Sequence, residues 1–317
     1  MTTGLANDRL ANDRLVNDGL MNDRLMNDRL VNGSQQDDKC LQQLGQMIYD
    51  FCGLHYLDNL PLLAAKVSQR LSALNMTLGE YTGFLAGNRQ EWRHLVELIT
   101  NNETYFFREE SQLHELCHAI LPRLRHRRPI RIWSAACSSG EEPYSLAMAI
   151  VESGAVPLES VRILATDINQ KVLQQARRGW YPRHSLCFRR TPGEMLEKYF
   201  VPQDQGFQIK SFIKERIEFR YANLLDDGDP AADEPFDVIF CRNVLIYFDA
   251  AAIRRVIAKF YRLLHPGGYL FLGHAETITG MDTGFETVNA RATFYYRKGD
   301  ADAGRSVDET FGARRHG

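Results

Sequence analysis

Residues Trp133 to Ser145 read WSAACSSGEEPYS, and Asp167 follows in RILATDIN. The order strand, tight turn, helix, strand, acidic residue constrains the fold more than any other feature of the chain. Ile130-Arg131-Ile132-Trp133 is short, β-branched and aromatic, and it stops at a run of small residues from Ser134 to Gly140 that lets a ligand approach the backbone. A helix start is predicted at Glu141-Glu142-Pro143, where first-turn acids and an early Pro are both favoured. The next strand, Val161 to Thr166, ends at Asp167, the distance at which a carboxylate grips ribose hydroxyls.

The dinucleotide fingerprint G-x-G-x-x-G is absent, because Gly140 is the only glycine in the turn, and no stretch matches G-x-x-x-x-G-K-[ST]. A pyrophosphate wants bare backbone amides at a positive helix end, and two carboxylates at this helix start repel it. The pocket suits a ligand with a nucleoside and a cationic part. S-adenosylmethionine has both, carrying an ammonium and a sulfonium. The alternative is that Glu141 and Glu142 only stabilise the start of the helix.

A chain of 317 residues holds one large or two modest domains, and 44% hydrophobic with 25% charged residues is the composition of a chain that buries a core. The net charge of -2 argues against a dedicated nucleic-acid binder, which is clearly basic as a rule. Six cysteines are scattered without a C-x-x-C pair, so neither a metal site nor a disulfide framework is expected and a cytoplasmic setting fits. No apolar run is long enough to cross a bilayer, so no direct membrane insertion is expected. The N-terminus alternates Asp and Arg where a signal peptide needs an apolar stretch.

Residues 5 to 33 repeat every five positions, LANDR, LANDR, LVNDG, LMNDR, LMNDR and LVNG. A five-residue period turns Leu by about 140° per repeat on a helix and flips it between the faces of a strand. Neither element gathers the leucines on one side, so the repeat is read as a disordered or marginally helical tail, and residues 1–39 are set apart as a disordered pentad-repeat tail. Leu41, Leu44, Met47, Ile48, Phe51 and Cys52 then recur at helical spacing, as do positions from Leu60 to Leu74 and from Trp92 to Thr100. Residues 40–128 are accordingly read as a helical N-terminal domain, closed by the basic run Arg123 to Arg128 and Pro129 as a linker. From 129 to 298 strands and helices alternate, which predicts an α/β domain with a mainly parallel sheet and helices on both faces. The alternation lapses at about 199–220, read as a small β insertion, and residues 299–317 are read as a second disordered tail.

Three further runs carry chemistry. Asp237 to Tyr247, DVIFCRNVLIY, is read as a buried strand opening at its C-terminal end, where open parallel sheets bind ligands. Asn243 there serves either an amino-acid moiety or a turn, and Tyr247 can present its phenol to the reacting centre. No Asn/Asp-Pro-Pro-aromatic run follows, which argues against a nucleobase substrate. Asn223-Leu224-Leu225-Asp226 stands where such folds contact adenine, or is simply a turn. In Asn101 to Arg108, NNETYFFR, the aromatics are assigned to core, and Arg108 is placed to hold a carboxylate in bidentate fashion.

TNNETYFFRE, WSAACSSGEEPYS, ATDIN, ANLL and FCRNVLIYF resemble, in order and spacing, the chemotaxis receptor methyltransferases, the CheR family. The resemblance covers about residues 40 to 298. It implies a Rossmann-like methyltransferase fold with a mainly parallel sheet and a small antiparallel β insertion, preceded by a small all-helical domain. Its implied activity is S-adenosylmethionine-dependent methylation of glutamate side chains on the cytoplasmic helices of chemoreceptors by a monomeric, metal-free enzyme. Carried over residue by residue, the cofactor contacts fall on Asn102, Thr104 and Arg108, on Glu141 or Glu142, on Asp167, Asn223 and Leu224, and on Asn243 and Val244. Arg108 and Tyr247 are the candidate catalytic residues, expected to orient the acceptor and the cofactor. The segment 202–214 is shorter than the insertion of enteric members, which leaves open whether a receptor tether peptide binds, and the pentad repeat has no counterpart.

A glutamate acceptor is already ionised at neutral pH, so positioning in a partly dry pocket is expected to suffice without a general base. Lys66, Arg70 and the arginines at 123–128 are either docking contacts for acidic receptor helices or an ordinary solvated face. The competing expectation is a noncatalytic S-adenosylmethionine-sensing adaptor; loss of Asn243 or Tyr247 would favour it, and both are present.

Overall fold

A computed structural model describes residues 36–127, 129–228, 230 and 234–300. The pentad repeat, Arg128 and the tail from 301 lie outside the described residues. Two compact units are present, one formed by residues up to Asp50 with Tyr56–Trp92, the other by Phe51–His55 with residues from Arg93 onward.

In the first unit, residues up to Asp50 of a helix over 36–52 (α1) are followed by α2 (Leu60–Leu74), α3 (Leu78–Ala86) and the start of α4 (Arg89–Ile99). α1 already includes residues 36–39, ahead of Cys40, where sequence periodicity first detects it; they carry no apolar side chain to register a period. Asn59 caps α2 by accepting from the Leu62 N–H, and Thr77 with Glu80 forms a reciprocal capping box on α3. Arg70, a candidate docking cation, instead donates to both carboxylate oxygens of buried Glu91 at 2.9 and 2.6 Å, and the Tyr81 hydroxyl donates to the same group at 2.9 Å.

The second unit is built on a seven-stranded sheet in the order β6-β2-β1-β7-β8-β10-β9. Its strands are β1 (Ile130–Ala135), β2 (Val161–Asp167), β6 (Ile217–Tyr221), β7 (Phe236–Cys241), β8 (Leu264–Leu272), β9 (Phe285–Asn289) and β10 (Phe294–Lys298). The first five in that spatial order are parallel, and β10 and β9 add an antiparallel edge. All six residues of β7 are buried, as a strand covered on both faces requires. Its one acid, Asp237, accepts from Arg127 at 2.8 Å and from the Arg131 N–H at 2.9 Å. The fold class expected from strand–helix alternation is the one observed.

Two boundaries differ from the sequence reading. The units divide within α4, not at the basic run 123–128. Phe106, Leu113, Leu116, Ile120 and Leu124, on α5 (Glu110–Glu115), a π turn (Leu116–Ile120), α6 (Leu121–Leu124) and the loop before them, share one core with Ile130 and Ile132 of β1. Helical periodicity reports that a face is buried, not which core buries it. The β insertion, expected at about 199–220, is a three-stranded antiparallel sheet that starts earlier, with β3 (Trp180–Pro182) pairing β5 (Gly206–Ile209), which pairs β4 (Phe200–Gln203). Ile217–Tyr221 pairs with β2 in the main sheet.

Phe240 on β7 and Phe271 on β8 stack with centroids 4.4 Å apart and planes 2° apart, both fully buried. Phe240→Ala is expected to remove about 3–5 kcal/mol of unfolding free energy, measured by urea titration at unchanged m-value. A loss under about 1 kcal/mol would show that the two strands are not close-packed there.

Candidate functional site

The strand order reverses at β1, whose neighbours are β2 on one side and β7 on the other. At that switch point open α/β sheets leave a crevice at the carboxyl ends of their strands. A cleft of about 920 Å³, counted to its open mouth, lies there and takes in the ends of β1, β2, β6 and β7, the loop 100–108 and the segment Cys52 to Leu54.

The turn after β1 is tightly wound. Ala136, Ser138 and Gly140 all have positive φ, at 59°, 50° and 96°. At Gly140 a Cβ would also stand 2.9 Å from that of Ala176 on α8 (Gln170–Arg178), so glycine is required on both counts. The turn is pinned by Asp167: its Oδ2 accepts from the Ser138 N–H and its Oδ1 from the Asn169 N–H, each at 2.8 Å. Burial pushes the Asp167 carboxyl up to about 6 against the lowering effect of these backbone donors. Acceptor capacity of the carboxylate beyond these donors is open to a ligand hydroxyl.

Of the two glutamates that open α7 (Glu141–Ser153), only Glu142 lines the cleft. Its carboxylate accepts from the Ser134 hydroxyl at 2.7 Å and from Arg242 Nε at 2.6 Å. Glu141 turns away: it is 2% exposed and accepts from the Ser139 hydroxyl. The sequence left the pair open because adjacent helical residues differ by about 100° in direction, and strand ends do not fix the phase.

Asn102, Thr104, Arg108, Asp167, Asn223, Leu224, Asn243, Val244 and Tyr247 all line the same cleft, so every predicted site residue except Glu141 is brought together. Their states differ. The Asn223 carboxamide is committed to the protein, donating to the Phe51 carbonyl at 2.6 Å and to Asp226 at 3.1 Å while accepting from the Leu225 N–H. It shapes the loop that carries Leu224; its side chain is not poised to read a base edge. Asn243 has φ 58° and a buried Oδ1 with no hydrogen-bond partner among the described residues, an acceptor suited to an ammonium. Arg108 lies over the Tyr105 ring at 5.3 Å and makes one long contact of 3.4 Å to the Glu103 carbonyl, so its guanidinium remains able to bind a carboxylate.

Several residues that shape the cleft carried no sequence signal. Arg242 donates to the Arg108 carbonyl at 2.7 Å besides Glu142. Glu276 accepts from the N–H groups of Asn243 and Gly273 at 2.8 and 2.7 Å, and Gly273 is glycine because a Cβ would meet Asn243 Nδ2 at 2.7 Å. Arg242 lies within FCRNVLIYF, where nothing in the pattern marks it off, and Glu276 is a lone acid in a loop. Three carboxylates (Glu103, Glu142 and Asp167), two guanidiniums (Arg108 and the Glu142-bound Arg242) and an orphaned amide oxygen, interspersed with apolar side chains, fit a nucleoside with cationic and carboxylate groups. Among the described residues no cluster of His, Cys, Asp and Glu could hold a metal ion, and no helix is long and apolar enough to cross a membrane.

Burial also pushes the Glu141 carboxyl up to about 7, with the Ser139 hydroxyl opposing. A raised acid contributes stability that is present below its unfolded value and is lost as pH rises through the folded one. Thermal melts at pH 5 and pH 8 are therefore expected to show a larger fall for the native chain than for Glu141→Gln, by on the order of 2–3 kcal/mol. Equal pH dependence in the two proteins would remove Glu141 from this role.

Residues 102–294 match the family described as CheR methyltransferase, SAM binding domain. The chain is 39% identical over 258 residues to a chemotaxis protein methyltransferase of Borreliella burgdorferi, covering 76% of this chain and 88% of that protein. It is 40% identical over 222 residues to chemotaxis protein methyltransferase 2 of Vibrio cholerae, covering 67% and 76%. A probable biofilm formation methyltransferase, WspC, of Pseudomonas aeruginosa is 35% identical over 236 residues, covering 73% of this chain and 55% of that one. The switch-point cleft and these matches agree: the chain belongs to the CheR family of methyltransferases, whose cosubstrate is S-adenosylmethionine.

Proposed function

We propose that this methyltransferase esterifies glutamate side chains on the cytoplasmic helices of chemoreceptors. The observation that carries the reading is the convergence of Arg108, Asp167, Asn243 and Tyr247 on one cleft whose lining, among the described residues, includes no histidine. When bound, S-adenosylmethionine supplies an electrophilic methyl group on a sulfonium. Asp167 holds the ribose hydroxyls, Leu224 covers the base, Asn243 Oδ1 accepts from the ammonium and Arg108 binds the carboxylate. Tyr247 donates to the acceptor carboxylate and orients it. That acceptor is already an anion, so no residue of the chain has to take a proton, and charge is neutralised as the ester forms. The names of the relatives at 39% and 40% identity, chemotaxis protein methyltransferases, support a receptor as the partner. A noncatalytic adaptor is disfavoured by the intact Arg108 and Tyr247 at the cleft.

Asp167→Ala is expected to weaken S-adenosylmethionine binding by roughly tenfold to a hundredfold in calorimetry, the loss of a charged hydrogen bond. In the native chain the affinity should fall as pH drops through about 6, because protonation removes the charge that favours a cation; the variant should lack that inflection. Unchanged affinity in the variant would sink the assignment.

Incubation with methyl-labelled cosubstrate and receptor cytoplasmic fragments should give base-labile label, lost when acceptor glutamates are changed to alanine. The turnover rate at saturation should be nearly flat over about pH 7 to 9. Base-stable label, or none with cosubstrate binding intact, would overturn the glutamate reading.

A further inference from the structure

Asn101 Nδ2 donates to the Tyr247 phenol oxygen at 2.8 Å, joining positions 146 residues apart, and both residues line the cleft. Which end of the carboxamide faces the phenol is fixed by the other end, because Asn101 Oδ1 accepts from the Glu103 N–H at 3.3 Å. A flipped amide would set its NH2 against that N–H and is disfavoured. The Tyr247 backbone is held independently. Its carbonyl accepts from the His55 N–H and its N–H donates to the Val244 carbonyl, each at 3.1 Å, and the next residue, Phe248, bridges to Leu54.

We propose that Asn101 is a positioning residue for methyl transfer, whose carboxamide occupies a lone pair of the Tyr247 oxygen and so commits the phenolic O–H to donate to the acceptor carboxylate. The proposal rests on the reading of Tyr247 given above. A phenol has one proton, and a donor on its oxygen leaves that proton to point elsewhere. Among the described residues the Tyr247 O–H has no acceptor in the protein, so the direction left to it is the cleft. A hydrogen bond accepted by the oxygen also polarises the O–H and makes it a better donor. Donation to one carboxylate oxygen fixes the bearing of the other, the atom that attacks. Hydrogen bonds guide the acceptor throughout and no proton is transferred.

The test compares Asn101→Asp, Asn101→Ala, Tyr247→Phe and the double variant Asn101→Asp with Tyr247→Phe. Receptor-fragment methylation gives the rates, and calorimetry with S-adenosylmethionine reports on the integrity of the fold. In Asn101→Asp the new carboxylate accepts the phenolic proton and diverts it from the acceptor. Its kcat is expected to fall about as far as that of Tyr247→Phe, by roughly tenfold to a thousandfold. Asn101→Ala, which only releases the phenol, should lose less, roughly threefold to tenfold. Cosubstrate affinity should stay unchanged in all of them, and the double variant should be no slower than Tyr247→Phe alone. A full rate in Asn101→Asp beside a slow Tyr247→Phe overturns this proposal alone, as do losses that multiply in the double variant. A full rate in Tyr247→Phe overturns the reading of Tyr247 and this proposal with it.

Discussion

The buried guanidinium of Arg242 ties together the segments that make the site. It is 3% exposed and sits just past the end of β7. From there it binds Glu142 on the first turn of α7, the carbonyl of Arg108 in the preceding loop and, at 3.4 Å, Gln112 on α5. Glu109 Oε2 adds a second carboxylate 3.5 Å away. A lone buried charge would be expelled or neutralised, and removing one member of such a pair costs about 3–5 kcal/mol. The strand-end turn, the helix start and the loop carrying Arg108 can therefore hold their places only while this cluster is complete.

The same segments carry unusual backbone. Of the non-glycine residues with positive φ among those described, Phe107, Glu109, Ala136, Ser138 and Asn243 lie on or beside the cleft; only Asn75 and Asp204 lie elsewhere. For a bulky residue such as Phe107, at φ 57°, that conformation costs on the order of 1–3 kcal/mol and persists only when its surroundings over-determine it. They do here. The Phe107 N–H donates to Ser145, which donates on to the Glu141 carbonyl, and the neighbouring Phe106 ring packs edge-on against Tyr181 and Phe200. Left-handed residues on both sides of Arg108 present that side chain to the cleft from a rigid base.

The parts of this architecture that were legible in the sequence are those with a local cause. A short β-branched run, a string of small residues, first-turn acids and a terminal Asp announce β1, the turn, α7 and β2 without reference to any distant residue. The unit boundary was not legible, because the apolar period from Phe106 to Leu124 is the same whichever core it meets. β3 was missed because three residues ending in Pro182 carry no alternation to count. Asn101, Arg242 and Glu276 act across gaps of 146, 100 and 33 residues, to Tyr247, Glu142 and Asn243, and such contacts leave no mark on spacing.

The charge distribution of the cleft then bears on the kind of ligand it serves. Desolvation holds Asp167 at about 6, so near neutral pH its charge is kept at a cost, offset by two backbone donors. Arg242, a buried cation lining the cleft, is already shared between Glu142 and Glu109. A neutral nucleoside would dehydrate the carboxylate further without repaying it, and an anionic one would meet direct repulsion. A cationic ligand relieves the imbalance, and once its positive charge is lost on turnover the relief goes with it. Carboxylates placed like Asp167 and Glu142 thus discriminate by ligand charge through long-range electrostatics, over and above any contact to groups that a charged ligand and its neutral counterpart share.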